Sequence, residues 1–348
     1  MEKLITFQFK NNRYFYNIIL FICGIVLVYP LIDTKIIPGH DYIFHVSRIL
    51  SISAALEEGV FPVRMYVDEL QFWGNPVGIF YPSLFIYFPA ILKMTGLSVE
   101  ICYNIFVLVI FYLGLFSSFY GFRLLTKSKF IGFFSAILYI SSGYYLLNAY
   151  IRSAIGELLA LSFMPLAIGC VCAFIERRNL SMKLCCLGIF AITAVIESHV
   201  LSSVFLLLAS FACTLVLHKK LSSKSIKRLF GIAIIIFCLN ASFIIPFLSY
   251  YESITPIISL ANENFSINGR SFRELIGFFV FWNFFLFAAC YIFLVSQIHN
   301  RFQHICKYKF RRSFYNYCFL LGVILTILSC SLFPWNDFVY LKNIFPLS

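Results

Sequence analysis

Charged side chains are scarce in this chain. Only 12% of its 348 residues are Asp, Glu, Lys or Arg, and 61% are hydrophobic, whereas a typical soluble domain is about one quarter charged. A single water-soluble core stops growing beyond roughly 250–300 residues, so one core cannot bury this much apolar surface. The composition excludes a water-soluble globular protein and predicts a protein whose solvent is lipid.

The common motifs of soluble nucleotide and metal chemistry are also missing. The sequence has no Walker A loop, no Rossmann glycine fingerprint, no His-Glu-x-x-His and no Cys-x-x-Cys, and each of these motifs marks a particular chemistry. An ATP-driven pump or a zinc enzyme of the soluble type is therefore not indicated. We predict no cofactor and no metal site, and leave open whether a divalent metal takes part.

Acidic residues are fewer than basic ones, 15 against 27, which leaves a net charge of +12. Nineteen of the 27 Lys and Arg residues, but only two acids, fall in five short segments between apolar runs. This is the positive-inside pattern of a membrane protein rather than a nucleic-acid-binding face, so we predict no nucleic-acid partner. The segments assigned to the cytoplasm are 1–16, 122–129, 176–183, 218–228 and 298–313.

Nine apolar runs are candidate membrane spans, since a helix needs roughly 20 residues to cross the hydrocarbon core. They lie near 17–32, 101–121, 129–147, 154–175, 183–199, 200–217, 229–248, 273–297 and 313–332. The run 79–95 contains two prolines and is interpreted as a helix in the outer interface. We therefore predict an all-α polytopic protein in which residues 1–348 form one transmembrane domain, with the N-terminus inside and the C-terminus outside.

The first outer loop, 33–100, carries the densest group of ionisable residues. Its segment from Asp41 to Glu58 has apolar residues at helical spacing. On such a helix Asp41, His45 and Arg48 are spaced i, i+4, i+7 and share one face, where they could act as a base, a proton shuttle and a phosphate clamp. The alternative is that Asp41 caps the helix and that the other two form a solvated interfacial face.

Two stretches rich in Gly and Pro follow in the same loop, at 59–64 and 74–82. This density predicts irregular backbone, which near a membrane is tolerated where it lines a cavity or is buried in protein. Aromatic residues beside it, such as Tyr81, could form a floor for a sugar ring, or they could belong to an interfacial aromatic belt. A second outer loop is predicted at 249–272.

Ionisable residues also occur at membrane depth. Arg152 and Glu157 flank the start of the fourth candidate span, and Glu197 and His199 lie where the apolar stretch 183–217 is expected to break. Charged groups at this depth are costly and usually face a polar cavity, so they are candidate functional residues. The alternative is mutual pairing, of Arg152 with Glu157 or with Glu197.

The order of these motifs resembles that of a group of bacterial polytopic membrane proteins. The motifs are Gly-His-Asp-Tyr-x-Phe-His-x-x-Arg-Ile (39–49), Gly-x-Phe-Pro-x-Arg (59–64), Gly-Asn-Pro-x-Gly-x-Phe-Tyr-Pro-x-Leu (74–84), Tyr-x-Arg-x-Ala-x-Gly-Glu (150–157) and Ser-His (198–199). The group carries the label "6-pyruvoyl-tetrahydropterin synthase related" and is similar to distant members of the GT-C superfamily of integral-membrane glycosyltransferases. The resemblance covers residues 15–348 and is most specific from 39 to 157.

The resemblance implies a function and a site. GT-C enzymes take a sugar from a polyprenyl-phosphate carrier and use an acid in the first outer loop, which here would be Asp41, or Asp33 as second choice, acting as general base. Arg64, Arg152 and His199 would hold the lipid phosphate, whose departing charge must be stabilised. The implied setting is a bacterial plasma membrane, with a polyprenyl-phosphate-linked sugar and a cell-envelope glycan acceptor as partners. The other predicted substrate-binding residues are His45, Arg48, Tyr81 and Glu157.

Two other functions stay open at this point. A transporter or flippase of a lipid-linked glycan would use the same cavity without breaking a bond, and would tolerate Asp41→Asn. A non-catalytic subunit of an envelope complex would tolerate changes at Asp41, Arg152 and His199 alike. Proteins of the similar group usually continue well past this length, and the tail 333–348 resembles a segment that precedes further spans, so we also expect a truncated or short variant.

Overall fold

The computed structural model describes residues 14–33, 39–66, 74–177 and 179–262. Most of them belong to one compact unit, Met1–Ser249, and a second unit, Tyr250–Ser348, is described only as far as Asn262. The predicted spans at 273–297 and 313–332 and the C-terminal tail lie outside the described residues.

The regular elements in the described ranges are helical, and a single antiparallel bridge joins Tyr66 to Asn75. The α-helices, labelled α1 to α11 in chain order, are Phe15–Asp33, Tyr42–Glu57, Val77–Phe80, Tyr87–Met94, Val99–Thr126, Lys129–Ile140, Gly143–Leu146, Ile155–Glu176, Met182–Ile196, Val200–Val216 and Ser223–Asn262. Two 3-10 turns and one π-helical segment complete the set, at Leu84–Ile86, His218–Lys220 and Leu147–Arg152. The all-α prediction is confirmed for this part of the chain.

Three helices are long and apolar enough to cross a membrane: α5, α8 and the Ser223–Tyr251 part of α11. The helix α6 and the segment Gly143–Arg152 meet at a 45° bend and make a fourth span if the pair is counted as one. Four shorter apolar helices cover Phe15–Pro30, Leu84–Met94, Met182–Ile196 and Val200–Val216. The chain is therefore a membrane protein with at least three candidate spans in its described part.

The predicted span 129–147 is not a single straight helix. The chain bends at a Ser-Ser-Gly sequence, where the Ser141 hydroxyl donates to the carbonyl oxygen of Ile137 at 2.7 Å. Serine back-bonding and Gly/Ser pairs are common causes of helix kinks. The chain then runs through the π-helical segment Leu147–Arg152, and this irregular turn brings Arg152 to the start of α8.

The helix α8 is the most buried of the three long helices. Of its most apolar 18-residue window 83% is buried, against 44% for α5 and 11% for α11. At the crossing of α5 and α8, the backbone of Gly121 lies directly on the backbone of Pro165. A side chain on residue 121 would prevent this approach, so the close packing of α5 on α8 requires a glycine at this position.

Two predicted features of the chain are confirmed. The helix α2 occupies the segment predicted from Asp41 to Glu58. The break at Glu197–His199 separates α9 from α10, and Nδ1 of His199 caps α10 by accepting the Ser202 N–H at 3.3 Å. The run 79–95 contains the eight-residue helix α4, which is too short to cross a membrane.

Candidate functional site

Asp41 has a fixed backbone and an open carboxylate. Its N–H donates to the Arg152 carbonyl oxygen at 2.8 Å, and its own carbonyl oxygen accepts the His45 N–H at 3.1 Å. The carboxylate makes no capping bond to α2 and lies 3.9 Å from a terminal nitrogen of Arg152, with 42% of the side chain exposed. The side chain therefore does not serve as the helix cap that the sequence offered as an alternative.

Arg152 is held by two partners besides Asp41. Its Nη1 donates to Asn148 Oδ1 and to Glu157 Oε2, both at 2.8 Å, and Glu157 also accepts a hydrogen bond from the Tyr144 hydroxyl. The alternative of pairing with Glu157 is thus confirmed. Tyr144 and Asn148 are not among the residues predicted from the sequence. A signal for them exists, because residues 144, 148 and 152 follow one another at intervals of four, a spacing that places them on one helical face.

Tyr81 brings the segment between α1 and α5 to the break between α9 and α10. Its ring centroid lies 5.9 Å from that of His199 and 6.2 Å from that of His45. The phenol lies against Gly156 of α8, where any Cβ would overlap its oxygen. Burial raises the pKa of Tyr81 to about 12, so the hydroxyl stays protonated and able to donate a hydrogen bond.

Arg48 lies beneath Tyr81 and is fully buried. Its Nη2 donates to the Pro82 carbonyl oxygen and to Ser83 Oγ, its Nε points to the Tyr66 hydroxyl at 3.5 Å, and its guanidinium lies 4.5 Å below the centre of the Tyr81 ring. Within the described ranges no carboxylate lies within 4 Å of it. Arg48 therefore positions the segment that carries Tyr81, and its burial separates it from the exposed Asp41 carboxylate.

His45 is on the same buried face of α2, with Nδ1 3.5 Å from Nη1 of Arg48 and only 1% of the residue exposed. The helical spacing correctly predicted that His45 and Arg48 face the same way, but the solvated interfacial alternative is wrong, since both are buried. Burial lowers the pKa of His45 well below its usual range, and the positive charge of Arg48 and the proximity of His199 add to this effect.

A buried neutral His45 predicts a loss of stability in acid. The unfolded chain binds a proton at this position below about pH 6.5, whereas the folded protein does so only at much lower pH. The folded state therefore loses stability as the pH falls below about 6.5 toward the lower pKa of the folded protein. The expected slope is at most about 1.4 kcal/mol per pH unit. Thermal unfolding in detergent between pH 5 and 8 should show this slope in wild type and in the exposed-histidine control His40→Asn, and a smaller one in His45→Asn. An unchanged slope in His45→Asn would contradict the assignment.

Arg64 hydrogen-bonds to a helix that carries none of the other predicted site residues. Its Nη2 donates to the Ser242 carbonyl oxygen of α11 at 3.3 Å, and no contact with Asp41 or Arg152 is seen in the part of the chain that is described. The side chain of Asp33 lies outside the described residues. No group of three or more His, Cys, Asp or Glu residues suited to a metal ion occurs among the residues described.

The structure thus links seven of the eight predicted site residues through ion pairs, ring contacts and charge interactions, whereas Arg64 bonds to α11. Two layers can be distinguished by burial. One is the buried pair His45 and Arg48, and the other is a more open layer that carries the remaining five residues. We call the open layer the Asp41 cluster, and it consists of Asp41, Tyr81, Arg152, Glu157 and His199. It combines an accessible carboxylate, a guanidinium, an imidazole and a phenol, which is a set able to move a proton and to bind an anion.

Comparison with known proteins gives one partial relative. No protein-family model matches the chain, and no solved structure matches it. A protein of Lactococcus lactis subsp. cremoris (strain MG1363), described as uncharacterized, is 30% identical over 161 residues. The aligned part is 45% of this chain and 26% of that protein, so the match spans about a quarter of the relative's length.

Proposed function

We propose that this protein is a membrane glycosyltransferase that moves a sugar from a polyprenyl-phosphate carrier to a cell-envelope acceptor outside a bacterial plasma membrane. The proposal includes the nine-span topology with the N-terminus inside, which puts the Asp41 cluster on the outer side. The observation that carries it is the carboxylate of Asp41, which is fixed through its backbone to Arg152, makes no helix cap and is 42% exposed.

The first chemical step assigned to the site is proton removal from the acceptor. An open carboxylate on a fixed backbone can accept the proton of an acceptor hydroxyl as that oxygen attacks the anomeric carbon. The hydrogen bond from the Asp41 N–H to the Arg152 carbonyl oxygen joins the two backbones, so the base and the guanidinium extend from neighbouring positions. Such preorganisation is what general-base catalysis requires.

The second step is departure of the lipid phosphate. One terminal nitrogen of Arg152 is engaged by Asn148 and Glu157, whereas Nη2 lies 3.9 Å from Asp41, beyond hydrogen-bond range. That nitrogen can donate to a phosphate oxygen and stabilise the charge that develops as the glycosidic bond breaks. The neutral Tyr81 hydroxyl lies against Gly156, the residue before Glu157, and can act as a further hydrogen-bond donor.

The experiment is the surface-glycan composition of a deletion strain carrying wild type, Asp41→Asn or the control Glu57→Gln, with membrane levels of the proteins matched. Glu57 is an exposed acid at the other end of α2. Its replacement therefore removes one negative charge, as Asp41→Asn does, but at a position outside the Asp41 cluster. We expect wild type and Glu57→Gln to restore a sugar, and Asp41→Asn to restore less than about 1% of it, because loss of a general base costs 10²–10⁴-fold in rate.

Two other outcomes each select another function. Full rescue by Asp41→Asn removes the base from the mechanism and favours a transporter of a lipid-linked glycan, which breaks no bond. Absence of any glycan change between the deletion strain and the wild-type rescue contradicts sugar transfer altogether and favours a non-catalytic envelope subunit.

A further inference from the structure

A basic groove lies at the end of α8 opposite the Asp41 cluster. Glu157 is in the first turn of α8 and Glu176 in its last, so the helical rise separates the two ends by about 28 Å. The groove has a volume of about 390 Å³ and lies between the ends of α5, α8 and α9. It is lined by Tyr120, Arg123, Leu124, Lys127, Arg177 and Leu187.

The charge of the groove is strongly positive. Its rim carries three cations, and the nearby acid, Glu176, is already paired with Lys220 at 2.7 Å and with Lys127 at 3.5 Å. In the described ranges neither Arg123 nor Arg177 has a carboxylate within 4 Å. Two guanidinium groups therefore face the groove without an anionic partner from the described protein.

The surrounding backbone holds these two arginines in place. Gly132 of α6 packs against the backbone of Arg123, where a Cβ would come within 2.9 Å. Lys127 closes α5 in a left-handed conformation, with φ 56° and its N–H bonded to the Arg123 carbonyl oxygen at 2.9 Å. The guanidinium of Arg228 donates to the Arg177 carbonyl oxygen at 2.8 Å. The backbone is thus anchored while both guanidinium groups stay exposed.

The remaining lining is apolar or aromatic. Tyr120 is 42% exposed and Leu187 37% exposed, and both lie on helices that run into the apolar part of the protein. A soluble anion would gain nothing from such walls, whereas a phospholipid would place its phosphate on the guanidinium groups and its acyl chain against the apolar side chains. The combination of charge and apolar surface therefore fits a lipid rather than a free anion.

We propose that this groove binds the phosphate headgroup of an anionic phospholipid, independently of sugar transfer at the Asp41 cluster. The phosphate accepts hydrogen bonds from Arg123 and Arg177, and Lys127 adds its positive charge at the rim. Basic grooves between membrane helices bind anionic headgroups in this way. The cationic residues at this end then have a specific ligand in addition to their effect on topology.

The test is native mass spectrometry of the full chain in detergent, with dioleoyl phosphatidylglycerol compared with dioleoyl phosphatidylcholine. The groove variant is Arg123→Gln with Arg177→Gln. The matched control is Lys129→Gln with Lys183→Gln, which removes the same charge from exposed residues that do not line the groove. We expect wild type and control to retain phosphatidylglycerol over phosphatidylcholine, and the groove variant to bind it at least about tenfold more weakly, since each surface cation contributes about fivefold.

Other results overturn the proposal. Equal weakening in the groove variant and the control would mean that only net charge matters, and equal retention of the two lipids would exclude recognition of the headgroup. Displacement of the lipid by millimolar inorganic phosphate, with the same dependence on the arginines, would identify a soluble-anion site instead. If the double variant aggregates, the exposed Arg177→Gln change alone carries the test, with an expected weakening of about fivefold.

Discussion

Replacing Gly121 with leucine is expected to disrupt the folded protein. The backbone of Gly121 touches Pro165 at the α5–α8 crossing, and an added Cβ would overlap the Pro165 carbonyl group and come within 2.5 Å of the Leu166 nitrogen. Because these are backbone atoms, no side chain can move aside, and the two helices must separate along their contact. The expected loss is about 3 kcal/mol or more, at the upper end of overpacking effects.

Gly231→Leu is the matched control for this change. Gly231 lies in α11, and a Cβ there would meet nothing within 4 Å. Leucine has a better helix propensity than glycine by up to about 1 kcal/mol, so the control should be neutral or slightly stabilising. Fluorescence-detected size exclusion and the midpoint of thermal unfolding in detergent measure both variants. A Gly121→Leu protein as stable as the control would contradict the close crossing.

Replacing Arg48 with methionine is expected to destabilise the site from below. The guanidinium is fully buried and donates to Pro82 and Ser83. Methionine would leave the Pro82 carbonyl oxygen buried and without this donor, while Ser83 Oγ would keep its contact with the Tyr66 hydroxyl. The ring of Tyr81 would also lose the cation beneath it. Hydrogen bonds from a charged group contribute about 1.5–3 kcal/mol each, and we expect a net loss of roughly 3 kcal/mol together with weakened activity.

Burying the unpaired guanidinium of Arg48 also has a desolvation cost, which opposes the gain from its hydrogen bonds. Arg64→Met is the control, because it makes the same substitution at a partly exposed arginine. Arg64 is partly exposed and makes one long bond to Ser242, so its replacement should change stability by less than about 1 kcal/mol. An Arg48→Met protein that unfolds at or above the wild-type temperature would show that the desolvation cost of the guanidinium exceeds the value of its hydrogen bonds. Thermal unfolding of both variants in the same detergent gives the answer.

The buried pair His45 and Arg48 shows how much a sequence pattern can predict. The i, i+4, i+7 spacing predicted that His45 and Arg48 share a face of α2, and the structure has their side chains 3.5 Å apart. The same spacing does not predict whether this face of α2 packs against protein or contacts solvent. The answer lies 34 residues further along, where the Pro82 carbonyl covers Arg48, and such contacts depend on the path of the whole loop.

A contact between residues close in sequence is easier to predict from the sequence than a contact between distant residues. Arg152 and Glu157, five residues apart, were recognised as a possible pair, and their contact of 2.8 Å bears this out. The link of Arg152 to Asp41 joins residues separated by most of the segment between α1 and α5 and by α5 and α6. The short stretch of chain between Arg152 and Glu157 limits the first pairing to a few arrangements, whereas the second exists only because the helices pack.

By itself, the sequence determined that this is a membrane protein whose described part is helical, because the scarcity of charge and the length of the apolar runs leave lipid as the only suitable solvent. It also determined the helix α2 and the break at Glu197–His199, since both depend on local patterns. Only the tertiary structure decided that Arg48 is buried, that Arg64 bonds to α11, and that Arg123 and Arg177 share a groove. These placements depend on contacts between distant helices, whose close approach is set by glycines such as Gly121 and not by any local periodicity.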